Sequence, residues 1–179
     1  MPTYVALLRG INLGARNRLA MADLRTLLDD LGYDDVRTHL QSGNAVFSTT
    51  ARSAAAVEKA VEAGLEKTTG LRIRVLVRSA AQLAKVLAAD PLGGRATDHS
   101  RYMVVFLEKP VTKKTLADID PDSYLPEEFA VEGKHLYLWL PDGSHASKLA
   151  RLMSEKKLGG AGTMRNWRTV GKLAEMSSA

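Results

Sequence analysis

Apolar positions along this chain switch between continuous runs, strict alternation and helical spacing. "TYVALLRG" (3–10) is a near-continuous apolar run, as for a strand buried on both faces. A glycine-containing loop, "INLGARNRL", follows. Met21, Leu24, Leu27, Leu28 and Leu31 recur at helical spacing, and Gly32 suits the C-terminal stop of a helix over about 21–31. "VRTHLQS" and "NAVFST" read as two strands joined tightly at Gly43-Asn44. Ser53 is placed to cap a helix over about 53–67 with the apolar stripe Val57, Val61 and Leu65. "LRIRVLVR" (71–78) alternates: Leu71, Ile73, Val75 and Val77 take one face, Arg72, Arg74 and Arg78 the other. Residues 3–78 therefore spell strand-helix-strand-strand-helix-strand.

The second half follows the same order. A helix over about 80–89, capped by Ser79 and stopped before Pro91, leads into the polar loop "PLGGRATDHS". "RYMVVFLE" (101–108) is a buried strand. A short helix is predicted from Thr112 to Pro121, then a hairpin of "EFAVEG" and "KHLYLWL" around Gly133. A helix over about 145–157 carries Leu149, Leu152 and Met153, and a last helix over about 164–176 starts after Thr163 as its cap. The predicted architecture is α+β, with two ferredoxin-like β-α-β-β-α-β repeats intertwined around a shared core. The first repeat occupies 1–78, a linking helix and loop 79–100, and the second repeat, with its basic C-terminal helix, 101–179.

Three stretches are more polar than such a core needs. "GGAGTMRNWRTVGKLAEM" (159–176) reads as a glycine run feeding a helix start, where N–H groups attract anions. On that helix Arg165, Arg168 and Lys172 fall on one stripe, opposite Trp167, Val170, Leu173 and Ala174. "RGINLGARNRLAM" places Arg9, Arg16 and Arg18 before the first acid, Asp23, in a loop with Gly10 and Gly14. It completes neither a P-loop nor a dinucleotide fingerprint. "QSGN" presents Gln41, Ser42 and Asn44 at a strand turn. The bland readings of these stretches are a solvated basic helix face, an ordinary turn-rich loop and a hairpin turn. A fourth feature is the alternation His135, Tyr137, Trp139, an aromatic sheet face able to stack bases unless something covers it.

Composition narrows the chemistry. Zero cysteines exclude disulfides, thiolate metal sites and cysteine nucleophiles. The four histidines lack metal-site spacing, and no serine sits in G-x-S-x-G. Asp118, Asp120, Asp122, Glu127 and Glu128, around two prolines, read as a solvated loop. No run approaches the roughly 18 apolar residues of a membrane span, and the start does not resemble a signal peptide, so a cytoplasmic location without membrane partners is expected. The net charge of +5 is localised: residues 1–50 and 51–132 are each balanced, while 133–179 hold eight basic and three acidic residues. Such a field favours anionic partners.

"ALLRGINLG", "LQSGNAVF" and "GTMRNWRTVGKL", in that order, closely resemble an uncharacterised bacterial family known as domain of unknown function 1697. The resemblance spans essentially the whole chain. It implies two intertwined β-α-β-β-α-β repeats and brings no activity. Family members often show TTRNW, where this chain has Met164 in place of the second threonine. Matching motif positions include Arg9, Gly10, Asn12, Gly14, Gln41, Ser42, Asn44, Thr163, Arg165, Asn166 and Trp167.

The function read from these residues is an anion-binding module without a cofactor or metal, its partner a phosphate-bearing small molecule or nucleic acid. The ligand would be a nucleotide or a nucleic-acid end. The three motifs would converge on one site, with Arg9, Arg165 and Arg16 or Arg18 binding phosphate or carboxylate. Asn12, Asn44 and Asn166 would orient the ligand, Trp167 would form part of the wall, and Arg168 would add charge. Two alternatives stand beside it: an enzyme acting on a small phosphorylated substrate, and a structural or dimerisation role for the motifs.

Overall fold

The computed structural model describes residues 1–179, with β-strands at Thr3–Leu8 (β1), Asp34–His39 (β2), Asn44–Ser48 (β3) and Val75–Ser79 (β4). Four more lie at Tyr102–Leu107 (β5), Glu128–Glu132 (β6), His135–Trp139 (β7) and Gly162–Asn166 (β8). Helices span Met21–Asp30 (α1), Ala54–Thr69 (α2), Ala80–Ala89 (α3), Lys148–Leu152 (α4), Glu155–Leu158 (α5) and Trp167–Ser178 (α6). The strands form two four-stranded sheets, ordered β2-β3-β1-β4 and β6-β7-β5-β8, with every pair antiparallel. The fold is therefore mixed α+β. The chain divides into two compact units, residues 1–85 with 172–179, and residues 86–171.

In the first unit, the central strand β1 is buried along nearly its whole length. Tyr4, Ala6 and Leu8 face α1 and α2 together with Ala45, Phe47, Val75 and Val77. Val5, Leu7, Val46 and Leu76, on the opposite face, are buried as well. That two-sided burial is why the segment lacks alternation. Helix α2 begins where Ser53 Oγ accepts from Ala56 N–H, and ends at Gly70. Gly64 brings α2 close to Leu27 of α1: a Cβ there would sit 3.3 Å from a Leu27 methyl. At the start of α3, Ser79 Oγ accepts from Gln82 N–H and Gln82 Oε1 accepts from Ser79 N–H, a reciprocal capping box. Arg37 Nη2 donates to the Met176 carbonyl, tying β2 to the end of α6.

In the second unit, Val105, Leu107, Leu136 and Leu138 face Ile119, Leu149, Met153 and Leu158. The segment predicted as one helix over 145–157 is two short helices. Ser147 Oγ caps α4 through Ala150 N–H, and Ser154 Oγ caps α5 through Lys157 N–H. The second serine restarts what helical periodicity alone reads as continuous. The helix predicted from Thr112 to Pro121 is a 3₁₀ turn at Lys113–Leu116, followed by another at Pro121–Tyr124.

The C-terminal segment also differs from the predicted helix start. Thr163 is no helix cap. Gly162–Asn166 is strand β8, paired with β5 so that Thr163 stands opposite Phe106 and Arg165 opposite Val104. The helix begins at Trp167, and Asn166 is the capping residue, its Oδ1 accepting from Thr169 N–H at 2.9 Å. A glycine run followed by threonine looks like a helix entrance. Strand alternation was hidden because the two buried positions carry Thr163 and Arg165.

Candidate anion-binding site

The "RGINLGARNRL" loop and the "QSGN" turn come together in the first unit. Asn12 is the pin between them. Its Nδ2 donates to the Gln41 carbonyl at 2.6 Å and to the Leu19 carbonyl at 2.9 Å, while its Oδ1 accepts from Leu19 N–H. Asn12 N–H donates to the Asn17 carbonyl, and Asn17 Nδ2 to the Gly10 carbonyl. At the loop's base, Leu8 N–H donates to the Gly43 carbonyl and Arg9 N–H to the Arg74 carbonyl. Gly10, Asn12 and Gly14 have φ of +65°, +54° and +65°, with negative φ between them.

This locking changes the roles of the motif residues. Asn12 holds backbone. Asn44 is fully buried on the sheet, donating from Nδ2 to the His39 carbonyl and to Ser42 Oγ. Arg9 is half-buried. Arg16, Arg18 and Gln41 are exposed, and their side chains have neither an ion pair nor a hydrogen bond. Leu13, at 72% exposure, and Leu40, at 56%, follow and precede the two residues that the Asn12–Gln41 bond joins.

Thr163, Arg165, Asn166, Trp167 and Arg168 belong to the second unit. Arg165 is only 8% exposed. Its Nη1 donates to Thr163 Oγ1 at 2.7 Å and to the Met164 carbonyl at 2.9 Å. Burial pulls its guanidinium pKa down to about 10. A sidechain on β8, it also lacks the helix N-terminal position assigned from the sequence. Arg168 is exposed and lies 3.5 Å from Asp98. Hydrogen bonds from Ser100, with Arg168 and Arg101 nearby, hold the Asp98 carboxyl below the usual carboxylate range.

Tyr137, at the centre of the aromatic face of β7, is buried, while His135 and Trp139 are half-buried. Trp167 stacks on Tyr102 with centroids 4.5 Å apart, and Tyr137 lies 6.4 Å from both rings. Tyr137 OH donates to the Val86 carbonyl. A buried tyrosine with a satisfied hydroxyl is core, so Tyr137 offers no platform for bases. No three His, Asp or Glu side chains cluster as metal ligands would, and no helix is long and apolar enough to cross a membrane.

A second arginine is buried without any mark in the strand pattern. Arg78, assigned to the outward face of its strand, is 5% exposed; its Nη1 donates to the Val77 carbonyl and burial lowers its pKa. It stands opposite Val5 in β1, as Arg165 stands opposite Val104 in β5. The shared R at the end of "VLVR" and "GTMR" was the available signal.

The family model for proteins of unknown function designated DUF1697 matches residues 1–137. The chain belongs to that family. The match includes the first two motifs and stops before the third. The conserved bacterial protein SP0830 from Streptococcus pneumoniae is similar to this DUF1697 chain at 22% identity, over 98% of both chains, with a TM-score of 0.71. That likeness shows a shared fold through the C-terminal strand and helix. No curated protein matches.

Proposed function

We propose that this DUF1697 protein is a phosphate-binding module, whose ligand is a nucleotide or a nucleic-acid end held at the locked loop of the first unit. The identical strand order of the two sheets supports reading the scaffold as two ferredoxin-like repeats. Arg16 and Arg18 are exposed and unpaired on a loop that Asn12 fixes to the Gln41-Ser42 turn. A fixed loop loses less entropy on capturing a ligand than a mobile one. Guanidinium groups take phosphate bidentately. The free Gln41 amide adds a donor and an acceptor. Exposed Leu13 and Leu40 offer apolar surface for a base, which favours a nucleotide over bare phosphate.

The reading is tested by thermal melts with and without millimolar nucleoside monophosphate. A ligand at 100 times its dissociation constant stabilises the folded state by about 2.7 kcal/mol. The wild-type melt should rise, and the Arg16→Ala/Arg18→Ala double variant should keep its unliganded melting temperature while losing most of the shift. Equal shifts in both proteins, or none in either, would overturn it.

A further inference from the structure

We infer that the second unit carries a separate binding site for a compact, multiply phosphorylated small molecule, in a basic concavity between the 3₁₀ turn at Lys113–Leu116 and helices α4 and α5. The concavity has a volume of about 670 Å³, inside the roughly 300–1,000 Å³ typical of small-molecule pockets. Lys114 comes from the 3₁₀ turn, Arg151 from α4, and Lys156 and Lys157 from α5. Lys157 is paired with Asp118. Lys114, Arg151 and Lys156 have no ion pair. No acidic side chain lines the concavity. Three exposed cations without ion pairs around one hollow create a local positive field that draws anions.

The hydroxyls suit the same ligand. Ser154 Oγ accepts from Lys157 N–H as the cap of α5, which leaves its O–H free to donate into the hollow. Thr112 and Thr115 share one hydrogen bond at 3.0 Å, so one of their two protons is also available. A lining of cations and hydroxyl donors recognises phosphoryl oxygens. Three uncompensated positive charges over a hollow of this size call for several phosphoryl groups. No aromatic side chain lines it, so the bases of a nucleic-acid strand have nothing to stack on. That argues for a small polyphosphorylated molecule over an RNA or DNA backbone. None of these residues belongs to the three motifs, so the inference stands apart from the loop site.

Calorimetric titration of inorganic tripolyphosphate at low salt tests it. The full chain is used, with Arg16→Ala/Arg18→Ala in the background so that the loop is silent. Saturable binding of one tripolyphosphate per chain is expected. Adding Lys114→Gln and Arg151→Gln, both at exposed positions, should weaken it by roughly tenfold or more for each charge-assisted contact removed. Absence of saturable heat in the background protein would overturn the inference. So would unchanged affinity in the Gln variants, or an oligothymidylate that competes as tightly as tripolyphosphate. Failure of the nucleotide shift at the loop, with tripolyphosphate binding intact here, would strike only the loop reading.

Discussion

Arg165 carries its charge at 8% exposure, with Nη1 bonded to Thr163 Oγ1 and to the Met164 carbonyl. Removing it strands the buried Thr163 hydroxyl and takes a donor from the part-buried Met164 carbonyl. Arg165→Ala should destabilise the protein by about 1–3 kcal/mol, read as a fall in the urea midpoint; an unchanged midpoint would contradict a structural arginine. Gly43 makes a parallel case in the first unit. Its φ is +80°, and a Cβ there would stand 2.7 Å from Leu8 Cβ and Ile11 Cδ1. Gly14, with φ +65°, has nothing within 4 Å of that position. Gly43→Ala adds overpacking, about 1–3 kcal/mol, to the left-handed penalty of about 1–2 kcal/mol that Gly14→Ala meets alone. The two variants compared by urea unfolding should differ in that order; equal costs would refute the close packing of the turn. The QSGN glycine is thus there to let the hairpin lie against the first loop.

At the scale of elements, α6 depends on a cap that its sequence disguises. Asn166→Ala removes the Oδ1 acceptor of Thr169 N–H and should cost about 1 kcal/mol, whereas Thr163→Ala should disturb the strand and leave the cap intact. Backbone amide exchange at Thr169 reports the difference: faster in Asn166→Ala, little altered in Thr163→Ala. Strand β1, helix α2 and its Ser53 cap, and the β6-β7 hairpin were all legible, because each has a periodicity or cap of its own. Strand β8 was not. Its inward positions are polar, its pairing with β5 spans distant sequence, and the preceding glycines imitate a helix entrance. The break between α4 and α5 was hidden by the run of helix-forming residues on either side of Ser154. At the candidate site, the glycines and arginines of the first loop were visible in sequence. The clamp formed by Asn12 was not, since it bonds backbone atoms far along the chain, and neither was the concavity around Lys114 and Arg151.

For the whole molecule, alkaline pH probes the second core. Burial pushes the Tyr102 and Tyr137 phenols well above the ordinary tyrosine value of 10.0. Because the folded pKa is raised, this stabilisation is fully present below pH 10 and is lost as pH rises through the folded values. The tyrosinate absorbance of these two should therefore appear only with unfolding, and Tyr137→Phe should remove one delayed step. Ionisation of all five tyrosines near pH 10 in a folded chain would contradict the packing around Trp167.

As proposed, Arg16 and Arg18, exposed and unpaired on the loop that Asn12 braces, hold a nucleotide phosphate. An NMR titration of the isotope-labelled protein with nucleoside monophosphate locates the ligand most directly. Saturable shifts are expected for the backbone amides from Gly10 to Arg18 and at Gln41 and Ser42, together with the Gln41 side-chain amide. No saturable shift, or shifts confined to Thr112–Thr115 and Arg151–Lys157, would contradict it.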